Sequence, residues 1–463
     1  MPVIKWIFEE SYAKDNADFE RKMINPRYTV YQLNRAVKSV GGGPLDAVDL
    51  NKVFDVAKYG DMIAEVEYVD SHGRVIPYEK KKGSQAGYYT NNGDSQRVTK
   101  IFNMKTKTGI DAFLQYAKAN GCDVVKEFRC YNIRWTGHMD SDALGEEAHG
   151  HLCDRLMHEE FDYLGKNGTR IHVCRWYPKY EPTGVVQIIH GIAEYGARYD
   201  HFARFLTSQG ILVTVQDHMG HGGSICDKTP RGVIQGGWFD MVEDTYQLFR
   251  DTRKEYPDVP YFFFGHSMGS FVLRTILAKY PDSGIAGAIV CGTGWMGKPI
   301  MVGGLAVASA VCKIKGAAHP SPLLKSVMFG GYNSKIENAR TENDWLSTDP
   351  NVVDAYNADP NCGFMASAGL VRAMLTGLLY IHSPENLAAM DKKLPVYFIA
   401  GGEDPVGNYG KGVEKCAKKF RKAGMKNVYS VIYPNGRHEI LNETNKEEVY
   451  ENTVDWIKSV LMD

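Results

Sequence analysis

Ser267 stands between Gly265 and Gly269 in the stretch YFFFGHSMGS (261–270), directly behind a run of aromatic residues. A serine hydroxyl is a poor nucleophile until a neighbouring base takes its proton, and that base needs an anion to fix its tautomer and stabilise its cationic form. Flanking glycines allow a strand to turn sharply into a helix without side-chain collision, which would hold the hydroxyl out at the end of a sheet with a helix N-terminus behind it. The GxSxG pattern alone carries little. With 47 glycines in 463 residues and serine at roughly one residue in twenty, about 0.2 matches are expected by chance. The context discriminates: an apolar strand precedes Ser267, and the helical pattern MGSFVLRTILAKY follows it.

On a sheet of this kind the partners follow the nucleophile in the order acid, then histidine. Downstream, PVYFIA runs into GGEDPVG and VYSVIY runs into PNGRHEILNE. Each puts a polar residue just past a strand's C-terminal end, the same edge as Ser267. The expected orienting acid is Asp404 and the expected general base is His438. Glu403 is the alternative carboxylate, with Asp-Pro at a tight turn favouring Asp404. Acyl transfer also needs donors for an oxyanion. The backbone N–H of Met268, the residue after the nucleophile, supplies one. HGIAEYGARY follows the strand VVQIIH directly, so the backbone N–H of Ile192 is the expected second. His190, beside Gly191, is read as shaping that loop.

These residues need a frame, and from about residue 159 the chain supplies one. FDYL and RIHVCRWY flank a KNGT turn, a hairpin signal. VVQIIH, ILVTVQ, YFFFG, GAIVC, PVYFIA and VYSVIY then alternate with helical patterns, among them YDHFARFLTSQG, FDMVEDTYQLFRDTRKEY, SFVLRTILAKY and EEVYENTVDWIKSVL. Short apolar strands alternating with helices imply an α/β fold whose mostly parallel sheet is buried on both faces. Residues 292–393 carry no convincing strand and read as a helical cap inserted over the ligand end of the sheet.

The first 137 residues read as a small α+β domain. MIAEVEYVD (62–70) and RVIPYEKK (74–81) have hairpin spacing, QRVTKIFNM and CDVVKEFRCYNIRW suggest strands, and TGIDAFLQYAKANG suggests an amphipathic helix. Residues 138–157, polar and rich in histidine and acid, are read as a linker before a domain at 158–463. Their possible ligands match no recurring zinc spacing, so no metal site is assigned.

Composition narrows the function classes. Hydrophobic residues make up 44% and charged residues 24% of the chain, an ordinary globular balance, and a formal net charge of −1 gives no electrostatic case for a nucleic-acid partner. The N-terminus turns acidic before a leader-like apolar core develops. The longest uncharged apolar run, Ile300 to Cys312, is interrupted by glycines and shorter than the roughly 20 residues of a membrane-spanning helix. Nine cysteines without a CxxC pair suit reduced thiols, so a cytoplasmic location is expected.

HGIAEYGARY, DHMGHGGS (217–224), GHSMGS, GGEDPVG and RHEILNE, in that order, resemble the monoacylglycerol lipase and lysophospholipase branch of the α/β-hydrolase superfamily. Within the insertion, FGGYN, RTENDWLSTDP, DPNCGF and MLTGLLYI are similar to the cap of its bacterial members. The resemblance covers roughly residues 158–463 and leaves the first 150 unassigned. It implies a serine ester hydrolase, without metal or organic cofactor, that acts on single-chain acyl esters of monoacylglycerol or lysophospholipid type through an acyl-enzyme. The same triad would serve a carboxylesterase, thioesterase or serine peptidase. A non-catalytic ligand receptor on this scaffold is a further alternative, against which the presence of Ser267, Asp404 and His438 speaks. Tyr195 departs from the family pattern, which usually has histidine after the glutamate of the HGxxE loop. Asp217, Glu194 and Arg198 also fall in matching motifs and are expected to make structural hydrogen bonds and ion pairs. The apolar cap residues fit an acyl-chain channel, each buried methylene contributing about 0.8 kcal/mol, and an exposed part of the cap offers transient contact with a membrane surface.

Overall fold

Strands of β-branched and aromatic residues, in which most positions are buried, form the centre of the larger of two units. The structure, a computed structural model, describes residues 3–7, 36–37, 47–49, 62–69, 74–75, 79–80, 88–90, 95–120 and 146–462. The chain divides into the units Met1–His158 and Glu159–Asp463.

In the first unit, β1 (Val3–Ile7), β2 (Ala36–Val37), β3 (Ala47–Asp49), β4 (Met62–Val69), β5 (Glu79–Lys80), β6 (Tyr88–Thr90) and β7 (Ser95–Asn103) form a sheet in the order β2-β7-β4-β1-β3-β6-β5. The strand expected at 62–70 is β4, but its partner is not the segment at 74–81. It pairs along its length with β7, Met62 opposite Asn103 and Val69 opposite Ser95, and on its other side with β1. The short β5 pairs with β6 instead. A long ladder satisfies more backbone groups than a hairpin closed through SHG, and the local turn signal loses to it. Helix α1 (Lys107–Ala119) starts where the Thr106 side chain accepts from the Gly109 N–H, and it buries Ile110, Phe113, Leu114 and Ala117 at helical spacing. The strand expected at 122–135 lies outside the described residues. Part of the stretch read as a linker is helical: α2 spans Glu146–Met157, with Ala148 and Leu152 buried one turn apart. Its apolar positions are interrupted by acids, histidines and a glycine, which left the period too weak to stand out.

In the second unit, β8 (His158–Leu164) and β9 (Arg170–Trp176) are joined by a turn in which Gly168 takes φ 64°. β10 (Gly184–Ile189), β11 (Ile211–Gln216), β12 (Tyr261–His266), β13 (Gly287–Cys291), β14 (Val396–Gly401) and β15 (Val428–Tyr433) complete a sheet ordered β15-β14-β13-β12-β10-β11-β9-β8. β9 runs antiparallel to β11, and from β11 to β15 every pairing is parallel. The central strands β10 to β14 are buried throughout because helices cover both faces. On one face lie α3 (Asp200–Ser208) and the C-terminal helix Lys446–Met462, whose Phe202, Leu206, Val449 and Ile457 pack on Phe262 and Phe264. On the other lie α4 (Trp238–Glu255), α5 (Met268–Lys279) and the helix Lys411–Lys422, packed on Tyr261, Phe263 and Phe398. Burying each such aromatic contributes about 1.5–3 kcal/mol, so this sheet is a stiff platform for whatever its C-terminal edge carries.

The insertion between β13 and β14 is helical, as expected. It contains α6 (Lys298–Lys315), α7 (Pro322–Phe329), α8 (Pro350–Ala358), α9 (Ala368–Ile381) and α10 (Pro384–Ala389). Ser321, Asp349, Ser367 and Ser383 cap four of these helices by accepting backbone N–H groups, with proline at the start of three. Among the described residues no helix is long and apolar enough to cross a membrane.

Candidate active site

Ser267 occupies the single residue between β12 and α5, at φ 52° and ψ −120°. A positive φ is unfavourable for a residue with a side chain and persists only where the surroundings over-determine it. Here the Ser267 N–H donates to the Cys291 carbonyl on β13 at 3.0 Å, and the Ser270 N–H and hydroxyl both donate to the Ser267 carbonyl, at 2.9 and 2.6 Å. The flanking glycines allow the close approach. A Cβ on Gly269 would lie 1.9 Å from the Ile189 carbonyl oxygen, and one on Gly265 would lie 2.6 Å from the Gly269 carbonyl oxygen.

Asp404 follows β14 and His438 follows β15, and both are buried. His438 Nδ1 lies 3.0 Å from Asp404 Oδ1. A carboxylate only accepts, so Nδ1 carries the proton and Nε2 is left with its lone pair. The Val406 N–H donates to the same Oδ1 at 2.9 Å, which fixes the carboxylate within its turn. Burial lowers the pKa of His438, but the charge and hydrogen bond of Asp404 outweigh it, and the net shift is upward. The neighbouring His266, its ring centroid 4.7 Å from that of His438, is pushed the other way by burial and by His438 and stays neutral. Glu403, the alternative acid, points its carboxylate 3.9 Å from Arg437 and makes no bond to His438 among the described residues.

Neither the Ile192 nor the Met268 backbone N–H has an acceptor among the described residues. Behind the loop that carries Ile192, Glu194 Oε1 accepts from the Gly191 N–H at 2.6 Å and from the Tyr199 hydroxyl at 3.0 Å. Arg198 joins Glu194 at 3.0 Å and grips Glu439, next to His438, with two hydrogen bonds of 2.7 Å. Burial works against ionisation of Glu439, yet the guanidinium holds its carboxyl well below the usual range. Asp217 accepts from the Gly196 and Gly223 N–H groups at 2.6 and 2.7 Å. His190 is buried, with Nδ1 2.7 Å from the Gly191 carbonyl and Nε2 accepting from the His218 N–H at 2.9 Å. Glu194, Arg198, Asp217 and His190 thus hold loops together.

Ser267, Ile192 and His438 line one cavity of about 410 Å³, roofed by cap residues that include Met328, Phe329, Trp345, Tyr356, Phe364 and Val371. Two of these, Trp345 and Tyr356, contribute more than apolar surface, as does Arg437 beside His438, and the sequence reading gave none of the three a role. The Trp345 ring lies against that of His438, tilted by 40° with the centroids 5.0 Å apart. Its carbonyl accepts from the His438 N–H at 3.4 Å, while the Leu346 carbonyl accepts from Glu439 at 2.7 Å. Arg437 donates to the Asp344 and Ser347 carbonyls at 2.7 and 2.9 Å, stitching the histidine loop to the same cap segment. Tyr356 reaches the loop of Ile192. The only signal for Trp345 was its place in RTENDWLSTDP, a cap stretch whose charged residues gave an indole no catalytic role. Tyr195, where the family pattern usually has histidine, donates to Asp359 of the cap at 2.8 Å.

A family model described as serine aminopeptidase, S33, matches residues 180–445, wholly within the second unit. Monoacylglycerol lipase of Mycolicibacterium smegmatis is 30% identical over 310 residues, covering 65% of this chain and 98% of that protein. Monoglyceride lipase of Homo sapiens is 27% identical over 250 residues, covering 54% of this chain and 75% of that one. Among solved structures, a highly thermostable carboxyl esterase from Bacillus coagulans, in complex with glycerol, aligns with a TM-score of 0.61 at 30% identity over 66% of this chain and 99% of that chain.

Proposed function

This chain belongs to the family described as serine aminopeptidase, S33, within the α/β-hydrolases, and from that premise we propose that it hydrolyses monoacylglycerols through an acyl-enzyme formed on Ser267. It is a carboxylic ester hydrolase of the lipase type. In the proposed mechanism Ser267 attacks the ester carbonyl while His438 Nε2 takes its proton. Asp404 holds the imidazole in that tautomer and stabilises the imidazolium. The oxyanion receives the N–H groups of Ile192 and Met268. His438 then returns the proton to the leaving glycerol oxygen, and a water activated by the same nitrogen releases the fatty acid.

The observation that carries the reading is the 3.0 Å bond from His438 to Asp404 beside the cavity that Ser267 also lines. The M. smegmatis and human relatives supply the substrate class, and Met328, Phe329, Phe364 and Val371 offer an acyl chain apolar walls. Exposed Ile300, Leu323 and Val327 on α6 and α7 would let the cap rest on a lipid surface. The described cysteines are free thiols, which fits a cytoplasmic enzyme. The test measures fatty-acid release from monoacylglycerols beside lysophospholipids, acyl thioesters and aminoacyl amides. Preferred turnover of monoacylglycerol, abolished together with fluorophosphonate labelling in Ser267→Ala, is the expected result. Preferred turnover of another ester class, or full activity in Ser267→Ala, would refute it.

A further inference from the structure

The loop that presents Ile192 is closed from outside by the cap, and this closure is made of specific bonds. Ala193, the next residue, takes φ 57° although it is not glycine. That conformation is held where neighbouring groups fix it. The body braces the loop at Gly191, whose N–H donates to Glu194 at 2.6 Å and whose carbonyl lies 2.7 Å from His190 Nδ1. The cap offers the other braces. The Ala193 carbonyl accepts from the Tyr356 hydroxyl on α8 at 3.0 Å and from the Gly363 N–H at 3.0 Å. A carbonyl oxygen has two lone pairs, and cap donors use both. Two residues on, the Tyr195 hydroxyl closes the bond to Asp359, at the C-terminal end of α8. Tyr356 is buried, and the Arg198 guanidinium lies 4.9 Å from its ring centroid. Its hydroxyl is therefore held on both sides, by the cap helix below it and by the ion-pair cluster beside it.

We propose that Tyr356 is a positioning residue for the oxyanion site: its hydroxyl, reaching from the cap to the Ala193 carbonyl, clamps the far end of the turn whose near end His190 holds, and so keeps the Ile192 N–H aimed. The proposal rests on the serine-hydrolase reading above. Its physical basis is that the Ile192 and Ala193 peptides share one tight turn. The Ile192 N–H shares its peptide plane with the Gly191 carbonyl, which His190 meets, and four soft torsions link that plane to the Ala193 carbonyl; with Tyr356 and Gly363 holding the far end, those torsions lose the freedom to relax and turn the N–H. An oxyanion donor works through preorganisation, so a small loss of aim weakens the transition state while leaving the ground state alone. Tyr356 does not touch the reacting atoms. It acts through the loop.

The experiment compares wild type, Ser267→Ala, Tyr356→Phe and Tyr195→Phe as full-length proteins on soluble p-nitrophenyl butyrate. In parallel it measures affinity for a butyl trifluoromethyl ketone, whose hemiketal oxyanion occupies the site, and for butyrate, which forms no adduct. Tyr356→Phe keeps the ring that lines the cavity and removes one donor. The expected outcome is a kcat about tenfold lower, with ketone affinity falling by the same factor and KM and butyrate affinity within about twofold of wild type. Tyr195→Phe, which loosens the same loop one contact further away, should shift the same pair of quantities in the same direction by a smaller factor. Unchanged kcat and ketone affinity in Tyr356→Phe, while Ser267→Ala is inactive, would overturn the proposal and leave the hydrolase reading standing. A loss shared equally by ketone and butyrate would also overturn it, since that is the signature of a merely structural side chain. Wild-type turnover in Ser267→Ala would overturn both.

Discussion

The sheet body and the cap use the same apolar side chains in opposite ways. In β12 every residue from Tyr261 to His266 is buried. In α6, an 18-residue helix of comparable apolar character, only Met301 and Ala308 are buried, while Ile300 and Ile314 are 66% and 75% exposed. Glycines differ in parallel. A Cβ on Gly269 in the body would collide with backbone, whereas one on Gly303 in α6 would meet nothing within 4 Å. The body is packed so that its side chains have one arrangement, which suits a triad that must hold its geometry. The cap has room on its outer side, and its exposed apolar residues contribute little to folding. On the function proposed above, the difference fits bond-making in the body and lipid contact at the cap, with Trp345, Arg437 and Tyr356 as the points where the two are tied.

Breaking the body should damage every substrate alike. In Asp404→Asn the imidazole loses the acceptor that fixes its tautomer, and kcat should fall about 10⁴-fold on soluble and aggregated esters equally, with the fold retained. The pH profile carries a second expectation. His438 must be neutral to act as base, and its pKa is raised because Asp404 outweighs burial. Activity should therefore climb as pH rises through a value above the ordinary histidine range, and the residual activity of Asp404→Asn should have that limb displaced to lower pH. Kinetics of kcat/KM against pH for both proteins measure it. A Glu403→Gln variant as crippled as Asp404→Asn would reassign the acid.

Loading the cap with polarity should separate substrates instead. Replacing Ile300, Leu323 and Val327, all exposed and none lining the cavity, with serine should lower binding to phosphatidylcholine–phosphatidylglycerol vesicles about tenfold. Turnover of p-nitrophenyl butyrate should stay at the wild-type level. Sedimentation with vesicles and a soluble-ester assay read the two halves. If both fall together, the cap is part of the catalytic frame over more of its surface than the Tyr356 contact, and the division of labour drawn above is too sharp.

What the sequence discloses follows the same boundary. The body was legible because each of its features has a local physical signature: apolar runs of strand length, glycines that a sharp turn demands around Ser267, and polar residues just past strand ends at Asp404 and His438. The helix Lys411–Lys422 escaped notice although Val413, Cys416, Ala417 and Phe420 are buried at helical spacing, because lysines dominate its composition. In the cap, helices were legible in outline, but Trp345 and Tyr356, and Arg437 on the histidine loop that meets them, were not assigned roles. Their contributions are a tilted ring contact, a pair of donors to carbonyls and a hydroxyl on a backbone oxygen, all to partners distant in the chain, and no spacing rule announces such contacts. In the first unit the 74–81 segment misled for the same reason. Hairpin spacing is local, while the pairing of β4 with β7 is decided by which ladder satisfies more of the backbone.

The smallest effect sharpens the comparison most directly, because it concerns one methyl group. Gly303 lies in the exposed middle of α6 at an ordinary helical φ, and a methyl there meets only solvent. Alanine loses less conformational freedom than glycine on entering a helix, so Gly303→Ala should stabilise the protein by about 0.5–1 kcal/mol. That gain would appear as a higher denaturant midpoint at unchanged m-value and unchanged kcat on soluble ester. The matched change Gly269→Ala places its methyl against the Ile189 carbonyl oxygen, and there the same alanine must displace β10 or α5 from the sheet that aims Ser267. A destabilising Gly303→Ala would mean that the outer face of α6 is covered by another body. The exposed residues beside it would then be an interface between proteins rather than a surface for lipid.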